Sequence, residues 1–342
     1  MNQIEITKPV SVLDDAGKPV NFGWARYPYF NYDPAYIRSN NTTISESDRY
    51  FIISPMHILS FEILDNGFLG YAGISVVSLK EKKWNTQVFT SPFTLGALGL
   101  SPNSSKGSVR FQKQKAILDF VAMEGGARII KADIPKFGHR RMLRGEVVLS
   151  PPTNAESIVT HMPWRREKNA FRCSCHSPWY TVEGVIQLGA TEMIFTRGNA
   201  WGIFDWNRGI RPREDLRYQA SACGISAGRE ISFNVGYGSS DAQMGTENAF
   251  FTDGRIHKLN QVTFHISPAN WLLPWHFTSN DNRLEMTFYP NQERVERHWV
   301  LFHSLRRRQV FGYFSGKILL DDGTPLEFQN ITGFAERRKT SF

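Results

Sequence analysis

Apolar and polar residues alternate along most of the chain from residue 50 onward, most regularly within residues 231–237, 262–266 and 284–288. Successive side chains of a β-strand point to opposite faces, so a period of two predicts strands with one buried face. Glycine-containing turns such as the Asp-Asn-Gly turn at 65–67 separate these segments, because glycine readily adopts the positive φ of tight turns. No stretch carries a sustained apolar stripe of helical period. We therefore predict an all-β fold with little helix.

The spacing of the predicted strands indicates the architecture. Strands that recur about every 8–12 residues are typical of antiparallel sandwiches and barrels. Similar numbers of predicted strands lie on either side of residue 205. We therefore predict two antiparallel β-barrels or half-barrels packed together, with an N-terminal domain at residues 1–210 and a C-terminal domain at residues 211–342.

Composition and charge limit the classes of partner. The chain has 342 residues, of which 13% are aromatic, and a formal net charge of +8. Aromatic residues favour strands and the walls of apolar cavities, and positive charge can attract an anionic ligand, a membrane surface or nucleic acid. Arginines and aromatics occur together mainly at residues 197–217, close to a carboxylate. We therefore predict no nucleic-acid partner, and peripheral contact with a membrane stays open.

The small number of cysteines and the absence of known motifs exclude further classes of protein. Cys173, Cys175 and Cys223 are too few for a disulfide framework, and the N-terminal residues have no apolar signal-peptide core, which predicts a soluble cytoplasmic protein. Cys173-Ser-Cys-His176 is the only metal-like cluster, but on a strand its cysteines would share one face and His176 the other. Phosphate-loop, dinucleotide-binding and zinc-protease motifs are absent, so we predict no metal and no cofactor.

Residues 197–213 combine residue types that ordinary core or loop segments do not. They hold two tryptophans, one phenylalanine, one carboxylate and four arginines, separated by three glycines. Polar side chains that aromatic neighbours carry into the interior need partners there. The mixture predicts the lining of a pocket. A second candidate stretch, residues 245–258, places Glu247 beside Asn248 among small and aromatic residues.

Asp205 and Glu247 have two alternative interpretations. They could form an ion-pair network with nearby arginines that braces one barrel against the other, because a buried carboxylate is costly unless it is paired. Alternatively, at least one of them faces an apolar cavity with a raised pKa and donates a proton as a catalytic acid. Aromatic walls would then stabilise a developing cation. Adjacent arginines lower a carboxyl pKa, so the distances between these groups decide between the alternatives.

Four segments resemble an uncharacterised bacterial family, domain of unknown function family 2804. They lie at residues 23–26, 198–209, 245–258 and 311–316, and the Asp-Trp-x-Arg-Gly and Glu-Asn-Ala motifs are specific in combination. The resemblance extends over nearly the whole chain. It implies a relationship to the hydroxyneurosporene synthase (carotenoid hydratase) group, whose members look like two lipocalin-type β-barrels side by side.

Relatives of that architecture include hydratases, cyclases and lipid-binding proteins that act on apolar molecules. The hydratase group has a Gly-x-x-Trp motif followed by Asp and another aromatic residue. Gly198, Trp201, Asp205 and Trp206 echo this motif, with a longer spacing between tryptophan and aspartate. The resemblance implies the fold more firmly than the function.

Three functional hypotheses result. The first is binding of a hydrophobic or amphipathic small molecule in a barrel or between the barrels, with aromatic residues holding the tail and Arg208 or Arg211 an anionic head. The second is a hydratase, cyclase or isomerase that uses Asp205 or Glu247 as an acid. The third is a non-catalytic structural or interaction protein, in which Arg208, Arg211 or Arg217 pairs with these carboxylates. The candidate catalytic residues are Asp205 and Glu247, and the candidate ligand-binding residues are Trp201, Trp206, Arg208, Arg211, Asn248 and Trp275.

Overall fold

The chain is an all-β structure. The computed structural model describes residues 3–138, 141–167, 169–300 and 303–341. Strands hold 63% of the residues, and the helical pieces within those ranges are single 3-10 turns at Pro34–Tyr36, Asn41–Thr43 and Glu124–Gly126. The prediction of an all-β chain with little helix is confirmed. The outer limits of the predicted domains, residues 1 and 342, lie outside the described ranges.

The described strands are numbered in chain order: β1 Val10–Ser11, β2 Gly23–Ala25, β3 Phe30–Asn31, β4 Glu46–Ile53, β5 His57–Asp65, β6 Leu69–Ser78, β7 Lys83–Pro92, β8 Val109–Lys113, β9 Ala116–Ala122, β10 Arg128–Phe137, β11 Arg141–Ser150, β12 Ile158–Pro163, β13 Phe171–Leu188, β14 Thr191–Phe195, β15 Trp201–Ile210, β16 Glu214–Ser226, β17 Arg229–Gly238, β18 Ala249–Thr252, β19 Arg255–Lys258, β20 Val262–His265, β21 Trp275–Ser279, β22 Leu284–Val300, β23 His303–Leu319 and β24 Pro325–Ser341.

The first large sheet is built from strands between residues 23 and 210. Its hydrogen-bonded order is β7-β6-β5-β4-β15-β13-β11-β10-β9-β8, while β12 and β14 pair with β13, and β2 pairs with β12. Alternation along β4 shows how the sheet divides its side chains. Tyr50 and Ile52 point into the sheet's own apolar core, whereas Phe51 and Ile53 point to the opposite face, and all four are buried. Both faces of this strand therefore contact protein.

The second sheet follows directly after the first. It uses strands between residues 214 and 341 in the order β19-β18-β17-β16-β24-β23-β22-β21-β20. Strands β22, β23 and β24 each span 17 residues. The core of this sheet is aromatic, with Phe233 against Phe314 and Trp275 against Phe288. Each sheet thus encloses its own apolar cluster.

The degree of closure of the sheets bears on the choice between half-barrels and the closed lipocalin-type barrels that the family resemblance implies. A curled, half-barrel sheet is formed. Among the described strands, the end strands of each sheet, β7 and β8 in the first and β19 and β20 in the second, do not pair with each other, although the Lys113 side chain of β8 donates to the Thr90 carbonyl oxygen of β7. The prediction of antiparallel β-architecture is confirmed at this level, whereas two closed lipocalin-type barrels are not.

The two sheets pack face to face through a third cluster, which we call the junction. Phe51 of β4 stacks on Phe334 of β24 with ring centroids 4.2 Å apart. Other apolar members from both sheets include Trp24, Trp201, Ile203, Phe251 and Phe311. Burial of this apolar surface stabilises the contact by roughly 25 cal/mol per Å² removed from water.

The alternation rule did not predict β15 or β16. Strand β15 covers most of the unusual stretch at 197–213, yet it carries polar residues on both faces. Phe204 and Trp206 face the first core, whereas Ile203 and Asp205 face the junction. A strand that is buried on both sides shows no apolar–polar alternation, which explains why the period-two pattern was absent.

Candidate functional site

The junction has a charged half beside its aromatic half. Strand β13 directs Arg172, Ser174 and His176 toward the second sheet, and its neighbour β15 does the same with Asp205 and Asn207. Cys173 and Cys175 of β13 point into the first core instead. The side chains of Cys173-Ser-Cys-His176 therefore diverge, as alternation along a strand predicts.

Glu247 is the centre of one ion cluster. It lies between Gly238 and Ala249, in the connection from β17 to β18, and reaches across the junction. Arg172 donates to both of its carboxylate oxygens, at 2.5 and 3.0 Å, and the Ser174 hydroxyl donates to Oε1 at 2.5 Å. Arg217 of β16 lies 3.5 Å from Oε2. Two guanidinium groups thus share one carboxylate.

The electrostatics of this cluster favour ion pairing over proton donation. Burial alone would raise the pKa of Glu247, but the adjacent Arg172 and Arg217 outweigh it and lower the pKa to about 2. Burial lowers the pKa of Arg172 to about 10, so this group stays protonated at neutral pH. Glu247 is therefore ionised at neutral pH and has no proton to donate.

Asp205 has a different partner. The Nδ1 atom of His176 lies 2.5 Å from Oδ1 of Asp205, and the two residues are direct cross-strand neighbours on β13 and β15. When the Asp205 side chain is a carboxylate it only accepts, and the hydrogen bond then requires the proton to be on Nδ1. The other ring nitrogen, Nε2, is buried and has no hydrogen-bond partner within the described residues. A neutral imidazole oriented in this way offers Nε2 as a proton acceptor.

A second ion cluster lies further along the junction, and we call it the brace. Arg49 of β4 makes two hydrogen bonds to Glu336 of β24, at 2.8 and 2.9 Å. Arg307 of β23 pairs with Glu62 of β5 at 2.7 Å. Burial raises the pKa of Glu62, but the surrounding arginines outweigh this and lower it to about 2. The brace is an inter-sheet ion-pair network, formed by residues that were not among the predicted partners.

The predicted residues on β15 separate onto its two faces. Trp201 and Asp205 belong to the junction. Trp206 and Arg208 turn into the first sheet, where the Arg208 guanidinium lies 4.7 Å from the Trp206 ring. Arg208 pairs with Asp48 at 2.8 Å and also donates to the carbonyl oxygens of Ser101, Ser47 and Asn207. It is fully engaged on the side of the strand away from Asp205.

The remaining predicted residues lie in three different places. Arg211 lines a small pocket of about 70 Å³ to which Arg172 and Arg217 also contribute. Arg211 donates to the Thr42 carbonyl oxygen at 2.9 Å, beside the end of β15. Asn248 is buried next to Glu247, where its side chain accepts from the Gly236 amide and donates to the Asn260 carbonyl oxygen. Trp275 lies fully buried in the core of the second sheet. Of the eight predicted residues, Asp205 and Glu247 line one chamber, and Asn248 lies beside them.

Three neighbouring cavities with shared lining residues reach this part of the junction, and we call them together the junction cleft. Its outer chamber, of about 610 Å³, includes Trp164, Leu216, Tyr218, Tyr237 and Lys339 in its walls. A middle chamber of about 200 Å³ shares Tyr218 and Tyr237 with it and ends at Arg172, Arg217 and Glu247. An inner chamber of about 20 Å³ shares those three charged residues and adds His176 and Asp205.

Sequence reasoning did not identify Arg172 and His176 as site residues. Both lie on the junction face of β13, and a signal for them exists in the alternation of 171–176. Phe171, Cys173 and Cys175 share one face, so Arg172, Ser174 and His176 form a polar row on the other. The register that brings His176 beside Asp205 is a property of the folded sheet alone.

The fold and the cleft define an all-β protein with two packed sheets and a charged cleft between them. The model of the family described as "Domain of unknown function (DUF2804)" matches residues 3–342. The chain therefore belongs to this family, and the resemblance stated above is confirmed. None of the curated proteins matches the sequence significantly.

The solved structures that this chain resembles are distant in sequence. CghA is 11% identical over 97% of this chain and 96% of its own, with a TM-score of 0.55, and its complex with Sch210972 gives 0.54. Kievitone hydratase from Nectria haematococca is 9% identical over 86% of this chain and 88% of its own, with a TM-score of 0.48. At such identities the likeness to CghA shows the fold alone.

Within the described ranges, no helix has the length and apolarity needed to cross a membrane.

Proposed function

We propose that the protein binds a hydrophobic or amphipathic small molecule with an anionic head group in the junction cleft. The head would lie at Arg172 and Arg217, and the apolar part along the tyrosine-lined middle and outer chambers. The hypothesis from sequence assigned the head group to Arg208 or Arg211. Arg208 is engaged elsewhere, so the arginines that face the cleft are better candidates.

An excess of positive charge in the middle chamber carries this proposal. Its walls include Arg165, Arg172 and Arg217 but, among the residues that the structure describes, a single carboxylate, Glu247. In addition, Nη2 of Arg217 is buried and lies 3.5 Å from Oε2 of Glu247, which already accepts from Arg172, and it makes no hydrogen bond among the described residues. A buried charged donor without a hydrogen bond is costly, and a carboxylate or phosphate would supply a better placed acceptor. The site therefore favours an anionic ligand.

The walls of the cleft suit an apolar chain. Tyr218 and Tyr237 stack with ring centroids 4.8 Å apart, and Tyr237 also contacts Phe264 edge to face at 5.2 Å. Met162 and Val262 complete the apolar part of the middle chamber. Pockets of this kind usually combine apolar walls with a few placed polar groups. CghA, which shares the fold, binds Sch210972 in its crystal structure.

Calorimetric titration with dodecanoate and dodecanol tests the proposal, because the two probes differ only in the head group. We expect the wild-type protein to prefer dodecanoate. Arg217→Gln should weaken dodecanoate binding about 10-fold or more, since a charge-assisted hydrogen bond contributes about 1.5–3 kcal/mol. Dodecanol binding should change little.

Arg283→Gln is the matched control, because Arg283 and Arg217 have similar side-chain exposures of 20% and 17%, and Arg283 pairs with Asp321 instead. Equal affinity of the wild-type protein for the two probes would contradict an anionic head-group site. Absence of binding of either probe would favour the third hypothesis, in which the network is purely structural.

A second candidate function is hydratase-type acid–base catalysis, favoured by the His176–Asp205 pair. Asp205 would orient the imidazole, and Nε2 would accept a proton from the water whose oxygen bonds to one carbon of a polarised C=C bond. The imidazolium would then return that proton to the other carbon, so that one water is added across the double bond. The inner chamber, about 20 Å³, has room for about one water. In this scheme Asp205 is a positioning residue, and Glu247 holds the substrate or the arginines rather than donating a proton.

Comparative mass spectrometry tests catalysis. An extract of apolar metabolites is incubated with wild-type protein, with His176→Gln and with Asp205→Asn. Hydration predicts products heavier than their precursors by one water that form with the wild-type protein alone. The Asp205→Asn substitution should lower the rate of product formation and leave the affinity for substrate unchanged, because it removes only the group that orients the imidazole. Identical product profiles for wild type and His176→Gln would remove His176 from any reaction.

We also propose that residues 1–210 and 211–342 are two lipocalin-type domains. Support comes from the separate apolar cores of the two sheets and from the position of residues 210 and 214 at their limits. Co-expression of the two halves as separate chains should give a stable complex held by the junction. Failure of both halves to fold or associate would argue for one indivisible domain.

We also propose a reducing, cytoplasmic location, which the free, buried Cys173, Cys175 and Cys223 support.

A further inference from the structure

The second sheet carries a row of cations on the face that points away from the brace. Alternation along β22, β23 and β24 directs Arg307 and Glu336 to the junction and leaves their neighbours on the opposite face. We call this opposite surface the basic face. It consists of Arg297, Arg306, Arg308, Arg337 and Lys339.

These cations are direct neighbours across the strands. Arg297 is paired with Arg306, Arg306 with Lys339, and Arg308 with Arg337. Like charges placed opposite each other destabilise a sheet. Within the described part of the chain, the ion pair on this face is Arg308 with Glu293, at 2.6 Å. The other four cations have no carboxylate within ion-pair distance there. Five cations and two carboxylates, Glu293 and the exposed Glu214 of β16, therefore give the face an excess of positive charge.

Exposed apolar side chains accompany the cations. Trp299 flanks Arg297 on the same face of β22, 63% of its surface is exposed, and the Arg306 guanidinium lies 5.8 Å from its ring. Val295 on β22 and Leu216, the cross-strand partner of Lys339 on β16, are exposed as well. The face therefore combines a tryptophan and two aliphatic side chains with five basic ones.

We propose that the basic face docks the protein on an anionic lipid bilayer. Basic side chains are attracted to anionic head groups, and tryptophan is favoured at the boundary between head groups and acyl chains. Val295 and Leu216 can enter the apolar boundary, whereas aliphatic side chains offer no stacking surface to the bases of a single-stranded nucleic acid. The mixture of cations with aliphatic groups thus favours lipid over nucleic acid.

The position of the basic face gives the docking a use. Lys339 and Leu216 also line the outer chamber of the junction cleft, and Arg337 lies 5.9 Å from the ring of Tyr218, another lining residue. Docking through this face brings the mouth of the cleft to the membrane surface. An amphipathic molecule could then pass between bilayer and cleft without crossing bulk water. Only this last step rests on the proposed function.

Sedimentation with lipid vesicles tests the docking. Vesicles of phosphatidylcholine alone are compared with vesicles of equal parts phosphatidylcholine and phosphatidylglycerol. We expect the wild-type protein to partition onto the anionic vesicles, and added salt to weaken the binding. Each basic residue near an anionic surface contributes about 1 kcal/mol, or about fivefold, so the Arg297→Gln/Arg306→Gln variant should bind about 25-fold more weakly. The Arg297→Glu/Arg306→Glu variant should bind more weakly still.

Matched controls lie on the first sheet. Lys83→Glu/Lys136→Glu makes the same change of charge as the Glu double variant at exposed positions away from the face, and Trp84→Ala matches Trp299→Ala. Both controls should bind like the wild-type protein, whereas Trp299→Ala should bind less. Thermal unfolding checks that each variant is folded. If the Arg297→Glu/Arg306→Glu variant does not fold, the vesicle binding of the Arg297→Gln/Arg306→Gln variant tests the proposal instead.

Three outcomes overturn the proposal: no preference of the wild-type protein for anionic vesicles, wild-type binding by the Gln double variant, or binding to a single-stranded oligonucleotide without binding to vesicles. Failure of the proposed function is distinguishable. Arg217→Gln should leave vesicle binding unchanged, and the Arg297→Gln/Arg306→Gln variant should bind dodecanoate in solution like the wild-type protein.

Discussion

Two ion clusters at the same junction differ in how closely their charges are enclosed. In the brace, the side chains of Arg49 and Glu336 are 6% and 4% exposed and bond to each other at two points. In the cleft cluster, the side chains of Arg172 and Glu247 are 10% and 16% exposed, and a second arginine competes for the same carboxylate. In the brace, too, a second arginine, Arg338, lies 3.6 Å from the Glu62 carboxylate that pairs with Arg307, so the two clusters differ in enclosure rather than in charge balance. The comparison teaches that enclosure favours a structural role, while access to solvent favours a ligand.

Acidification should produce the largest effect, because it acts on both clusters together. The neighbouring arginines lower the folded-state pKa of Glu62 and Glu247 to about 2, and that of Glu336 further, from an ordinary value of 4.5. The unfolded chain then binds more protons than the folded one, so this stability is present above about pH 5 and is lost as the pH falls toward 2.

Urea unfolding between pH 6 and pH 3 measures this loss. Glu62→Gln should flatten the dependence on pH, because it removes one of the groups with a lowered pKa. Glu146→Gln is the control, since Glu146 pairs with Lys131 on the exposed surface. Stability that stays constant from pH 6 to pH 3 would show that the junction carboxylates are not strongly coupled to their arginines.

Breaking the brace should have the next largest effect. Arg49→Met leaves Glu336 buried without its main partner, and removal of one member of a buried pair costs about 3–5 kcal/mol in the free energy of unfolding. The double variant Arg49→Met/Glu336→Met should recover most of this loss, because it removes both charges. A double variant as unstable as the single one would mean that Glu336 has other essential roles in the junction.

Opening the cleft cluster should cost less and should change binding. Glu247→Gln removes the shared carboxylate, but Arg172 keeps its hydrogen bond to Asn207 and the site is partly accessible to water. We expect a loss of about 1–3 kcal/mol in the free energy of unfolding and a gain of about 10-fold in dodecanoate affinity, measured by calorimetry. If affinity fell instead, Glu247 would be part of the head-group site rather than its competitor.

Removal of an exposed ion pair, Arg197 with Glu183, should have the smallest effect on stability. Arg197 and Glu183 have side-chain exposures of 70% and 48%, so water screens their attraction. Arg197→Gln should change the free energy of unfolding by at most about 0.5 kcal/mol in urea titrations. A loss comparable with that of Arg49→Met would break the link between enclosure and stabilising effect.

Much of the fold was accessible from local patterns, and part of the site was as well. Alternation and glycine turns predicted an antiparallel all-β chain, and the unusual composition of 197–213 and 245–258 marked two segments that do meet at the junction. Arg208 belongs to that composition, yet it faces the first core. A segment's composition reports that its residues are buried. It does not report toward which neighbour each side chain points.

The sequence by itself determined the strand-forming alternation, the turn positions, the positive charge and the family, because these depend on neighbouring residues or on matching whole motifs. Only the tertiary structure decided that Asp205 meets His176 and that Glu247 meets Arg172. Those contacts depend on strand register and on the packing of two sheets, which bring together residues 29 and 75 positions apart along the chain. The same packing placed Arg217 in the cleft and turned the outer cations of β22–β24 into one continuous face.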